Sequence, residues 1–229
     1  MKKTITLILA FLLLCFGLSA CTDLKNNNDD NDGDGGNENS SPTTAANILV
    51  PYFSCTGNTE KIAEMIARET VGALHEIQPQ IPYTEADLDY YSGGRADREQ
   101  ADPAARPAIA NSVENMPDYD VIFLGYPIWH GQAPKIIYTF LESYDFAGKT
   151  IVPFCTSGSS GVGSSADNLR PLAQNADWKN GTRFSSKTTE SEIKAFVEQL
   201  NLDLKTDTNL LKIAVGNTTL TASLADNAS

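Results

Sequence analysis

The chain has 229 residues, with 29 acidic against 17 basic side chains and a formal net charge of −12. That length suits one sizeable domain with extensions rather than two full domains. The acidic balance argues against a nucleic-acid partner, whose phosphates call for a basic surface.

The chain begins with Lys2 and Lys3, followed by an almost wholly apolar run over residues 5–18. This run is short for a membrane-spanning helix, which needs roughly 20 apolar residues. It closes in Leu18-Ser19-Ala20-Cys21, which resembles a bacterial lipobox. The resemblance implies that residues 1–20 are a signal peptide and that Cys21 is lipidated and becomes the mature N-terminus. An extracytoplasmic, membrane-anchored protein of the cell envelope is expected, with diacylation holding it better than one chain would. Residues 21–46 are rich in Asn, Asp, Gly and Ser and almost devoid of apolar side chains. Such a segment cannot offset the entropy of folding and is expected to be an acidic tether. Asp29, Asp30, Asp32 and Asp34 resemble a calcium loop only faintly, because the terminal Glu of an EF-hand is missing.

From residue 47 the texture changes. The run at 48–53 predicts a strand, with Pro51 expected to disturb it locally. Residues 60–74 carry Ile62, Met65, Ile66 and Leu74 at helical spacing. A weak second strand follows at 74–77. Residues 79–118 read as a decorated crossover with a short helix, in which Tyr90 and Tyr91 are weighed as a pocket cap against plain surface packing. Arg95 and Arg98 are weighed there as groups that steer an anionic partner or pair with nearby acids. A third strand at 121–126 is continuous enough to be buried on both faces. A helix at 135–144 after Pro134, a fourth strand at 150–154, a helix at 164–174, a poorly marked fifth strand near 183–185 and a helix at 188–200 complete the alternation. Such alternation calls for a parallel sheet covered by helices, with ligands beyond the carboxyl ends of the strands.

Three loops lie at those ends. Ser54-Cys55-Thr56-Gly57-Asn58-Thr59 joins the first strand to a helix. A helix start offers free N–H groups and a positive dipole end, Gly57 allows close backbone approach, and the hydroxyls add donors. No Lys or Arg lies within it, so it is not a Walker A loop. The bland alternative is a capped helix, with Thr56 or Asn58 as N-cap. Ser-x-Thr-Gly-x-Thr after a first strand resembles the phosphate loop of flavodoxins. The resemblance covers residues 47–202 and implies a flavodoxin-like, three-layer, doubly wound, five-stranded parallel sheet that binds FMN. Within the second loop, Pro127, Ile128, Trp129, His130 and Gly131 resemble the family's second flavin loop. Trp129 is expected to be exposed there and to stack on the ring, or else to pack on the next helix. His130 is left between contacting the ring and standing in solvent. The third loop, with Thr156, Ser157 and Gly158, resembles the remaining cofactor loop.

Cys15 falls in the signal peptide, leaving Cys55 and Cys155 in the domain. A disulfide between them is left open, since sequence does not give the Cα separation. Cys155 reads as a small buried hydrophobe rather than a redox thiol, and Cys55 is left open between the two, since a helix N-terminus lowers a thiol pKa. His75 and His130 are the only histidines and no CxxC pair occurs, which argues against structural zinc. Residues 203–229 suggest a hairpin about Gly216-Asn217 and resemble the opening of a bacterial cyclophilin-like β domain. The expected function is a membrane-held electron carrier serving a redox partner protein or small acceptor. The alternatives are an FMN-dependent NAD(P)H:quinone-type oxidoreductase and a flavin-free anchored binding protein on the same scaffold.

Overall fold

The computed structural model describes residues 46–202; the signal peptide, nearly all of the tether and the C-terminal extension lie outside the described residues. β1 (Ile48–Tyr52) leads into α1 (Asn58–Thr70) and β2 (Ala73–Glu76). The crossover holds α2 (Glu85–Leu88), α3 (Arg95–Ala101) and a 3-10 turn at Met116–Asp118. Then come β3 (Val121–Pro127), α4 (Lys135–Glu142), β4 (Thr150–Thr156) and α5 (Ser165–Leu169), the last continued by a 3-10 turn at Arg170–Leu172. β5 (Asp177–Trp178), β6 (Thr182–Phe184) and α6 (Glu190–Gln199) finish the domain.

The sheet is parallel, in the order β2-β1-β3-β4-β5, with β6 also on β4. β5 pairs with Thr150 and Ile151, and β6 with Phe154, Cys155 and Thr156. The expected fifth strand is therefore present as two short pieces along one neighbour. At Gly181, between them, a Cβ would lie 2.9 Å from Val162 Cγ1. The disturbance expected at Pro51 also appears. β1 pairs with β3 at Ile48, Leu49 and Tyr52, and the ladder skips Val50 and Pro51, where an N–H donor is missing.

Alternation along the buried strands divides the core in two. Leu49, Phe53, Ile122, Leu124, Tyr126, Ile151 and Cys155 join α4 and α5 on one face. Val50, Tyr52, Val121, Phe123, Val152 and Phe154 join α1 and α6 on the other. This gives the expected three layers.

Helix ends differ from expectation for local reasons. α1 stops at Thr70, because Val71 turns left-handed at φ 52 and a Cβ on Gly72 would meet Ile48 Cγ2 at 2.9 Å. α5 gives way to a 3-10 turn at Pro171. α6 starts from Thr189, whose side chain forms a capping box with Glu192.

Gly125 on β3 lies under the ring of Phe154: an added Cβ would come within 2.2 Å of its Cζ. Gly125→Ala is expected to cost at least 1–3 kcal/mol in urea denaturation, as overpacked cores do. Phe154→Leu in the same chain should recover part of that loss, and purely additive losses would show that the ring is not the obstacle.

Candidate functional site

The carboxyl ends of β1, β3 and β4 open on a cavity of about 340 Å³. From the first loop, Ser54, Cys55, Thr56, Asn58 and Thr59 line it. Gly57 is absent from the wall and makes the turn, at φ 78, as the N-cap of α1. Neither Thr56 nor Asn58 caps the helix: Asn58 Nδ2 donates to Thr56 Oγ1 at 3.0 Å, and no side chain bonds the first turn. α2 and α6, by contrast, each carry a capping box. α1 thus leaves first-turn N–H groups free at the cavity, and Ser54 Oγ is buried there with no partner. Thr59 Oγ1 and Thr156 Oγ1 share a buried hydrogen bond of 2.7 Å, which ties the first loop to the end of β4. Free N–H groups, an unpartnered hydroxyl and no cation within the turn together suit an anion bound by dipoles.

Pro127, Ile128, Trp129 and His130 line the cavity from the second loop. Trp129 N and Gln132 O, and Gln132 N and Trp129 O, are each 2.9 Å apart. His130 and Gly131 sit between them at φ 49 and 76. This is a type I′ turn, so Gly131 serves the backbone and is not part of the wall. Trp129 is half-buried, not exposed as expected. Its ring meets Phe53, after β1, at 5.4 Å and Tyr83, in the crossover, at 5.2 Å, both nearly edge-on. His130 is held by Tyr90, stacked at 4.3 Å, and by Asp97 Oδ1, 2.7 Å from its Nε2. Of the two tyrosines weighed as a cap, Tyr90 is part of the wall and Tyr91 is not.

Thr156, Ser157 and Gly158 line the third side. Their shape is set by Arg183 of β6, which donates from Nη2 to Ser157 O at 2.9 Å and Gly158 O at 2.7 Å, and from Nε to Ser157 Oγ at 3.1 Å. Gln100 of α3 does the same for the second loop. Its Nε2 donates to Trp129 O and Ala133 O at 3.0 and 3.2 Å, and its Oε1 accepts from Lys135 N at 3.1 Å. Sequence reasoning missed Gln100, Asp97 and Arg183, along with Leu88, Ala96 and Ser186 in the wall. Asp97 and Gln100 stand three apart on a short helix, a weak signal that only the partners give meaning. Arg95 and Arg98 are occupied internally: Arg95 lies 3.6 Å over the Tyr83 ring and pairs with Glu99 at 3.4 Å, and Arg98 bonds Gly93 O at 2.5 Å.

Cys55 and Cys155 are both free thiols. Cys55 lines the cavity and is exposed to it, and the partial desolvation there pushes the thiol up to about 12 against a lesser opposing pull from Arg95. Burial likewise pushes Cys155 up to about 12, in keeping with a packed hydrophobe. Among the described residues no cluster could hold a metal ion, and no helix is long and apolar enough to cross a membrane.

This strand order, with ligand-facing loops at the switch between β1 and β3, defines a flavodoxin-like α/β domain. The family model described as Flavodoxin matches residues 47–200, and the chain belongs to that family. Two solved structures described as flavoproteins are similar to it. One, from Bacteroides eggerthii, is 43% identical with a TM-score of 0.65, and the match covers 70% of this chain and 99% of that one. The other, from Bacteroides uniformis, is 38% identical with a TM-score of 0.65, over 68% of this chain and 99% of that one. A flavoprotein in complex with FMN from Lactobacillus acidophilus shares the fold at 23% identity and a TM-score of 0.53, over 67% of this chain and 99% of that one. Among curated proteins, no significant match was found.

Thr59→Val would leave the Thr156 hydroxyl buried without its partner. Chemical denaturation of the ligand-free protein should show a loss of about 1–3 kcal/mol. Unchanged stability would mean that the two loops are joined by packing alone.

Proposed function

We propose that this chain is a lipid-anchored, extracytoplasmic electron carrier whose redox group is FMN. The observation that carries the reading is the uncapped start of α1 beside the unpartnered Ser54 hydroxyl, in a cavity walled by Trp129, Tyr90 and His130. Ser54, Cys55, Thr56, Gly57, Asn58 and Thr59 would hold the phosphate through N–H and O–H dipoles. Pro127 to His130 and Thr156 to Gly158 would flank the ring, with Gly131 completing the turn that carries His130. FMN supplies one-electron and two-electron chemistry, while the protein binds, orients and shields it. The formal charge of −12 opposes added negative charge and favours a lower potential.

The lipobox-like Leu18-Ser19-Ala20-Cys21 and the polar tether after it support anchoring at Cys21 in the cell envelope. Its exchange partner would be a redox protein or a small acceptor. Replacing Cys21 with Ser in the expressed full-length chain should move the protein from the membrane pellet to the soluble fraction.

Titration of the purified protein with FMN and with riboflavin, followed by flavin fluorescence, tests the cofactor. Tight FMN binding with much weaker riboflavin binding is expected. Thr56→Ala and Gly57→Val should each weaken FMN by roughly tenfold or more and narrow the gap to riboflavin, since donors to a charged group contribute about 1.5–3 kcal/mol. Valine at Gly57 is also strained at φ 78. Trp129→Ala should weaken both ligands by about tenfold. A wild-type protein that binds neither flavin would leave the flavin-free scaffold. Steady turnover with NAD(P)H and a quinone would favour the oxidoreductase instead.

A further inference from the structure

The turn at Trp129-His130-Gly131-Gln132 places a histidine where the backbone favours asparagine or glycine. A left-handed residue with a Cβ costs about 1 kcal/mol or more, so His130 at φ 49 marks a local strain at the cavity. What offsets it is side-chain contact. The imidazole stacks on Tyr90 at 4.3 Å with planes 10° apart, and meets Tyr91 edge-on at 5.5 Å. Its Nε2 lies 2.7 Å from Asp97 Oδ1. The Tyr90 hydroxyl in turn accepts the His130 backbone N–H.

Asp97 is itself fixed. The Gly93 N–H donates to its Oδ2 at 3.0 Å, and this bond, followed by His130, holds the carboxyl below the usual carboxylate range. Asp97 is therefore anionic throughout the range in which an imidazole titrates. Of the groups facing the ring, Asp97 comes from α3, and Tyr90 and Tyr91 come from the segment between α2 and α3. With side-chain exposures of 27% for His130 and 15% for Asp97, the pair is partly shielded from solvent screening, and His130 lines the cavity.

We propose that His130, oriented by Asp97, takes up a proton when the flavin beside it is reduced, so that electron transfer at this site is coupled to proton transfer. The proposal rests on the FMN reading above. In balance, two electrons from an external donor and one proton taken at the flavin leave one added negative charge on the ring. A second proton from solvent goes to the His130 imidazole, which becomes imidazolium beside Asp97. No protein bond is broken, and the net uptake is two electrons and two protons. The new flavin charge on one side and the Asp97 carboxylate on the other both favour the imidazolium. His130 is thus a positioning and charge-balancing residue rather than a source of electrons.

The test uses the full chain loaded with FMN and reduced stepwise with dithionite, with the midpoint potential followed between pH 5 and 8. The variants are His130→Asn, which suits the left-handed turn, and Asp97→Asn. The wild type should take up close to one more proton per two electrons than His130→Asn over part of that range. Asp97→Asn should move this uptake to lower pH, since the carboxylate 2.7 Å from Nε2 is removed. A second readout is the ring titration by NMR with labelled histidine, where the His130 signal should move to higher pH on reduction and on restoring Asp97. His75, on β2, serves as the reference within the same sample. FMN-loaded wild type and His130→Asn with identical proton uptake, and a His130 signal indifferent to reduction, would overturn this proposal alone. A wild type that binds no FMN would overturn the functional reading and this proposal together.

Discussion

Burial of β1, β3 and β4 on both faces is the constraint from which the site follows. Each strand sends alternate side chains to two separate cores, so a slip of one residue would exchange every side chain between them. Because the strands are parallel, fixing their register also fixes where they end, and all three release their loops on the same side. The hydrogen bond between Thr59 and Thr156 then joins the turn after β1 to the end of β4, across β3. The cavity is a product of register before it is a product of its own residues.

What register does not decide is the shape of the loops themselves. Two side chains supply much of it. Gln100 reaches from α3 to two carbonyls of the β3 loop and to the first N–H of α4. Arg183 reaches from β6 to two carbonyls of the β4 loop. Both act on backbone groups, and both come from elements remote in sequence. The crossover between β2 and β3 is therefore more than a connection. Its Tyr83, laid between Phe53, Trp129 and Arg95, backs the Trp129 ring, and its Tyr90 and Asp97 hold His130.

The sequence is most legible where local chemistry and position agree. The apolar run at Val121 announced a strand with two buried faces, and Pro51 announced a fault in its ladder. Ser54 to Thr59 could be read as a phosphate turn because a strand and a helix flank it. Legibility falls where a role is conferred by a distant partner. Trp129 looked like an exposed platform, because nothing nearby in sequence reveals that Phe53 and Tyr83 will enclose it. Cys55 stayed ambiguous for the same reason, because only the folded surroundings show that burial raises its thiol pKa. The fifth strand was faint because its pairing is divided between two pieces of two and three residues, too short for a period-two pattern to register.

That division also shapes how the molecule meets its own kind. A sheet margin is a hazard when it offers a long, uninterrupted row of unpaired amide and carbonyl groups to another chain. Here the margin beyond β4 is cut into β5 and β6, with Lys179, Asn180 and Gly181 in the gap. The opposite margin, β2, runs for four residues, Ala73–Glu76, with a histidine and a glutamate at its end. Neither margin is long enough to template a continuous intermolecular ladder. An interruption that weakens the sheet locally thereby guards the folded protein against edge-to-edge aggregation.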